Sequence, residues 1–250
     1  MVIRNKTEIS LPGQARERIL EMLESGELQP GDPISVRMLA GRLEMSTLSV
    51  SSALHGLEND GLVVSRNRSG SNVVVISPQD IWNMVQYRVA LEQRGARIAC
   101  QLATEAELEE LKVLAARADG AGTTDEQEWL EADDRFHQAL QSCSHTPSLL
   151  FPPHYLRVFR LKLELCSGLK LFPDFKPDGS LIVAQGHRLI ADLAMTRDME
   201  QLSSLVEIHI CNAIGLPELT SLRERHWEKL HEITDFLDRN KRKSRVRIFK

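Results

Sequence analysis

Asp133 and His137 stand four residues apart in the stretch EADDRFHQAL, and two further histidines, His187 and His209, follow in segments of apolar periodicity. On a helix, a spacing of i, i+4 projects both side chains from one face about one turn apart, so Asp133 and His137 can grip one ion. His187 falls before the end of one expected helix and His209 beyond the start of the next. An antiparallel pairing of those helices puts the two roughly 12 and 16 Å from the connecting turn at about 1.5 Å per residue, within about one turn of each other. Three imidazoles and one carboxylate suit zinc first, then nickel, manganese or iron, and four protein ligands leave a fifth or sixth position for a small molecule. From spacing alone the commoner reading is a helical bundle in which these four are surface or satisfied core residues without an ion.

Arg88 lies among Val85, Val89 and Leu91, where an unpaired charge would be costly to bury. Two readings follow from its chemistry: a structural salt bridge to an acid such as Glu92, or a planar fork that clamps an organic carboxylate. Arg157 and Arg160, after Pro152-Pro153, are weaker candidates for a second polar contact. A metal with an open position can also activate water, so a metal-dependent hydrolytic enzyme is a rival reading. Against it, no nucleophile–base pair or glycine-rich phosphate loop appears, and Glu131 and Asp134 have no spacing that designates a general base. His55, His145, His154, His226 and His231 read as solvated or capping residues, His154 with a cavity-lining alternative.

The elements that must position these residues divide at prolines and glycines. No proline occurs between Pro78 and Pro147, and apolar residues recur there at helical spacing. Upstream, Ala15 to Ser25 is an amphipathic helix. Ser35 caps a short helix from Val36 to Leu43, and Ser46 caps a third from Thr47 to Asp60 that stops at Gly61. Residues 62–76 are two β-branched runs around a polar turn, the pattern of a hairpin. Helix, short helix, longer helix and hairpin is the order of a winged helix-turn-helix, whose third helix enters a DNA major groove while the wing reaches phosphates or the minor groove. Ser77 and Pro78 start a new helix running to Ala103. Thr104 with Glu107, and Thr124 with Gln127, open two more. Further helices are expected near Pro147 to Gly168, Gly179 to Thr196, Asp198 to Ile214 and Pro217 to Arg239. The expected fold class is mainly α: a winged helix-turn-helix over 1–76, an all-helical bundle over 77–216, and a C-terminal helix with a basic tail over 217–250.

The 250 residues are 42% hydrophobic and 26% charged, which excludes a disordered or collagen-like chain. The net charge of −4 gives no hint of nucleic acid from the whole chain. Its distribution is uneven, −1 over 1–76, −7 over 80–216 and +4 over 217–250. The basic run RNKRKSRVRIFK reads as a solvated tail, with extra phosphate contacts as the minority reading. No stretch of about 18 apolar residues occurs, so a soluble, cytoplasmic protein without membrane partners is expected. Cys100, Cys143, Cys166 and Cys211 are widely spaced and read as buried reduced thiols.

The stretch from ARERILEMLESGELQPGDP to the wing, with its G-x-L-x-P-G turn, LA in the second helix and AL-x-x-L-x-x-x-G-L-V, resembles the DNA-binding domain of the GntR family. The bundle resembles the FCD effector domain of its FadR-type subgroup through R-x-A-L-E at Arg88 to Glu92, D-x-x-F-H at Asp133 to His137, and His187 and His209. The resemblance implies that Asp133, His137, His187 and His209 ligate a metal. It also implies an effector that is a small carboxylic, hydroxy, keto or sugar acid meeting Arg88, and a homodimer on a double-stranded inverted-repeat operator. The function it implies is a metabolite-responsive transcription regulator, in this family most often a repressor; a metal-sensing regulator is the alternative within that class. Arg37 matches a DNA-contacting arginine of the family. Thr47 and Ser51 stand where members commonly have arginines, which implies a different or weaker operator preference. Ser46, Ser49 and Ser52 remain candidates for bonds to phosphates or bases, and Arg66, Arg68 and Gly70 lie where the wing approaches DNA.

Overall fold

The computed structural model describes residues 9–66, 70–119, 126–152, 154–167, 182–212, 229, 232–237 and 239. The chain divides into two compact units. The first holds the described residues up to Ile81 together with those from Arg157 to the end of their helix; the second holds the rest.

In the first unit, α1 (Leu11–Glu24) starts earlier than its apolar periodicity suggests. The Ser10 hydroxyl accepts a bond from the Gly13 amide at 3.3 Å, and Pro12 sits in the first turn, where its missing N–H costs nothing. Ala15, Ile19, Leu20 and Leu23 form its buried stripe. A two-residue strand β1 (Pro33–Ile34) follows, then α2 (Val36–Leu43), capped by the Ser35 hydroxyl at 3.1 Å from the Met38 amide. The turn out of α2 passes through Glu44 in the left-handed region, φ 54°. The next helix, α3 (Thr47–Asn59), is capped by Ser46 and buries Val50, Ala53, Leu54 and Leu57. Gly61 stops the chain at φ 67°, a conformation that costs glycine little.

The hairpin consists of β2 (Val63–Arg66) and β3 (Gly70–Val73), paired antiparallel from Val63 opposite Val73 to Arg66 opposite Gly70. Sequence patterning misses β1, which pairs with β3 through Pro33–Asn72 and Ile34–Ser71 and makes a three-stranded sheet of order β1-β3-β2. Two residues beside a Pro-Gly turn carry no alternation to read. From Arg157 onward, α7 (Tyr155–Ser167) belongs to this unit as well. Val158 and Leu161 are buried in the same apolar cluster as Ile19, Leu39 and Leu57, and Leu165 packs on it. Arg157 donates from Nε to Glu24 at 2.8 Å and also binds Glu17, both on α1.

Helix α4 (Pro78–Leu102), which belongs to the second unit from Trp82 onward, opens with a reciprocal cap, Ser77 amide to Asp80 at 2.9 Å and Asp80 amide to the Ser77 hydroxyl at 3.2 Å. Helix α5 (Glu105–Ala118) has the expected capping box of Thr104 and Glu107. Then come α6 (Glu126–Ser142), α8 (Ile182–Thr196) and α9 (Met199–Asn212), with α5 packed on α6 and α8, and α8 on α9. Phe136, Leu108, Leu111, Ile190 and Leu202 are among the buried side chains that hold the bundle.

The helix expected from Pro147 to Gly168 is interrupted. Pro147–Leu149 is a single 3-10 turn, Leu150 is extended, and the helix begins only at Tyr155. The cause is the Pro152-Pro153 pair, because a residue before proline is pushed out of the helical region. The Thr124 cap, the Gly179 start, the hairpin tip with Arg68, His226, His231 and the basic tail from residue 240 lie outside the described residues, whereas 232–237 are helical. Among the described residues no helix is long and apolar enough to cross a membrane.

The four cysteines form no disulfide with one another. Cys100, Cys143 and Cys211 are buried, and burial pushes their thiols up to about 11, 11 and 12. Cys166 is only half-buried, so the expectation of four buried thiols fails at that position. Iodoacetamide at pH 7.5 is therefore expected to label Cys166 first and the other three only on unfolding, since the thiolate is the nucleophile. Mass spectrometry of partly labelled native protein checks this order; equal labelling of all four contradicts it.

Candidate functional site

Three helices of the second unit deliver one cluster. Asp133 and His137 project from α6, His187 from α8 and His209 from α9, and one ligand atom of each lies within 4.8 Å of those of the others. The ring centroids of His187 and His209 are 4.4 Å apart, and those of His137 and His209 5.3 Å. The three histidines are buried and Asp133 nearly so. The edge of Phe136 closes on the His187 ring, with centroids 4.7 Å apart.

Two of the rings are fixed from behind by buried carboxylates. His187 places Nδ1 2.9 Å from Asp119 Oδ1, leaving Nε2 to face Asp133 Oδ1 at 3.1 Å. Asp119, at the C-terminal cap of α5, is itself held within α8 by the backbone amides of His187 and Arg188, at 3.1 and 2.9 Å. His137 places Nδ1 2.6 Å from Glu92 Oε2, and its Nε2 points at Asp133 Oδ1, 3.7 Å away. Glu92 in turn accepts from Arg88 Nε at 2.6 Å, making a buried chain Arg88–Glu92–His137 along α4 and α6. A carboxylate bonded to the rear nitrogen of an imidazole sets its tautomer and aims the front nitrogen, as metal-ligating histidines require.

His209 completes the set differently. Its Nδ1 is buried and has no hydrogen-bond partner among the described residues. A Cβ at Gly186 would stand against that nitrogen, nearer than real carbon atoms approach, so the ring keeps its place because residue 186 is glycine. A buried imidazole nitrogen without a partner is costly in a protein and is satisfied by a cation.

The electrostatics agree with this donor chemistry. Burial opposes charge on Asp133, yet His137, His187 and Arg88 outweigh it and hold the carboxyl well below the usual range. Burial likewise opposes the His187 cation, but the bonds to Asp119 and Asp133 lift that ring to about 9. His209 goes the other way: burial, then the neighbouring His187 and His137, push it well below its ordinary value, and the neutral ring is the ligating form. The residues present fit a divalent transition metal, which Asp133, His137, His187 and His209 would hold.

The structure brings together all four metal candidates and Arg88, and adds three residues that sequence reasoning left out. Glu92 figured there only as a partner for Arg88, while Asp119 and Gly186 did not figure at all. Arg157 belongs elsewhere, bound to the α1 carboxylates, and His154 is exposed in a turn with φ 65°. Glu131 lies on the surface of α6 beside Arg135.

In the first unit, Thr47, Ser51 and Ser52 are exposed on α3, and Arg37 on α2. Ser49 is a correction: it is 6% exposed, its hydroxyl is 2.8 Å from that of Ser46, and it faces the core. The Ser46 hydroxyl is engaged at the cap by the Ser49 amide, 3.1 Å away. Gly70 opens β3 at φ 94°. Arg66 closes β2, and the Arg68 segment is outside the described residues.

Two family models match the chain: the FCD domain over residues 83–212 and bacterial regulatory proteins of the gntR family over residues 11–73. The chain is 30% identical over 129 residues to the Nta operon transcriptional regulator of Aminobacter aminovorans, a match covering 52% of this chain and 61%, less than two thirds, of that protein. It is 26% identical over 208 residues to BphR of Paraburkholderia xenovorans strain LB400, named an uncharacterized HTH-type transcriptional regulator, covering 80% of this chain and 82% of that one. Among solved structures, E. coli McbR/YncC is similar in fold, with a TM-score of 0.60 and 21% identity over 82% of this chain and 96% of that one. The two sequence relatives are both named transcriptional regulators. With both family models matched in order along a winged helix-turn-helix and a helical bundle, the chain belongs to the GntR family with an FCD domain.

Proposed function

We propose that this chain is a DNA-binding transcriptional regulator that represses metabolic genes from an inverted-repeat operator as a homodimer, and that a small carboxylic, hydroxy or sugar acid releases it by binding at a metal in the helical domain. The observation that carries the reading is the convergence of four ligand atoms within 4.8 Å, two of the rings being aimed from behind by Glu92 and Asp119. Zinc is the first choice for a nitrogen-rich set with one carboxylate, followed by nickel, manganese and iron. Once bound, the ion supplies a fixed positive charge that anchors a carboxylate. This chain's own part is to hold the ligands, exclude water with Phe136, and present Arg88 to the same acid. An acid shifts the DNA-bound fraction only as far as its affinity differs between the DNA-competent form and the other.

The test combines metal content with thermal melting. Purified wild type is expected to carry metal that His187→Ala lacks, and one of malate, citrate, lactate or gluconate should raise the melting temperature of wild type alone. That acid should also weaken operator binding. Absence of metal from both proteins overturns the metal-anchored reading. An acid that binds without changing DNA affinity overturns its role as effector. DNA affinity that follows metal concentration with no acid present favours the metal-sensing alternative.

A further inference from the structure

Helix α3 presents an outward stripe of Leu48, Ser51, Ser52 and His55, the i, i+3, i+4, i+7 set of one helix face. Leu48 is 81% exposed, and the helix Thr47–Asn59 contains no lysine or arginine. A single exposed leucine needs no explanation on an ordinary surface. This one occupies the first turn of the third helix of a winged helix-turn-helix, the part that meets base edges in the major groove. The hydroxyls beside it donate or accept with equal ease, so Ser51 and Ser52 tolerate several base edges. Ser46 and Ser49 bond one another, which takes them out of the reading face. That leaves the leucine as the discriminating group. The apolar feature of the major groove is the C5-methyl of thymine.

We infer that Leu48 reads thymine methyl groups, so that the operator half-site is specified by thymine at the positions under the α3 N-terminus. The inference rests on α3 being the reading helix. Arg37, exposed in the first turn of α2, carries a charge that suits a phosphate, a contact that orients the domain without choosing a base.

Uracil differs from thymine by the methyl alone, which gives a direct test. Duplexes are enriched from a randomised pool with the full-length protein, and each thymine of the best duplex is then replaced singly by uracil. At one or two positions per half-site, uracil is expected to weaken wild-type binding about fourfold, the worth of one buried methyl. Leu48→Ala should bind the thymine duplex about as weakly as wild type binds the uracil one, and should not respond to uracil there. Because Leu48 is exposed, this variant keeps its fold, which circular dichroism verifies. Enrichment of a sequence with no uracil effect, or the same uracil effect in Leu48→Ala, overturns the inference while leaving α3 as the reader. Failure to enrich any sequence overturns both.

Discussion

Arg88→Met is expected to lower the unfolding free energy by about 3–5 kcal/mol, measured by urea denaturation in buffer free of metal and organic acids. Glu92 is 0% exposed, and its carboxylate is held by Arg88 Nε and His137 Nδ1, each at 2.6 Å. Without the guanidinium the buried charge faces His137 alone. Burial would then push the Glu92 carboxyl up, reversing the direction in which His137 and Arg88 together now hold it. The double variant Arg88→Met, Glu92→Leu should recover part of the loss, since removing both members of a buried pair costs less than stranding one. A single-variant cost under about 1 kcal/mol would place the pair among ornamental surface contacts.

The second large effect is local. Gly186→Ala should weaken metal affinity by about 10–100-fold, the range seen when a ligand's orientation is lost. The same change should leave the fold intact or strengthen α8 by up to about 1 kcal/mol, because alanine is the better helix former. The added methyl would stand against His209 Nδ1 and force the ring to turn. Competition titration against a zinc chelator, beside thermal melting, separates the two consequences. Unchanged metal affinity would remove His209 from the ligand set.

Much of this site is legible in the sequence. The i, i+4 spacing of Asp133 and His137 states a shared helix face outright, and the histidines of α8 and α9 lay at comparable distances from their turn. Glu92 was legible as a partner for Arg88, four residues away on the same helix, but its second bond to His137 crosses between helices and has no sequence spacing. Asp119 was illegible for a related reason: it reads as an ordinary helix-ending acid until α8 brings two amides to it. Gly186 carries no pattern because its value is an absent atom. In the fold, caps such as Ser35, Ser46 and Thr104 were readable since they act within three residues. Ser49 was misread because a small polar residue on a capped first turn can face inward once its hydroxyl has a neighbour. β1 and the join of α7 to the first unit depend on contacts far along the chain, which local periodicity cannot report.

That join bears on how the protein is made. The apolar cluster of the first unit draws on α1, α2, α3 and the sheet, whose last strand ends at Val73, yet it also takes Val158 and Leu161. A ribosome adding about 5–20 residues per second delivers those two side chains several seconds after the hairpin. Until then the nascent DNA-binding unit exposes the apolar patch that α7 covers, and Glu17 and Glu24 wait for Arg157. The winged helix-turn-helix thus reaches its finished form only after much of the helical domain has been translated, so a truncated message yields an aggregation-prone fragment instead of a stable winged helix-turn-helix.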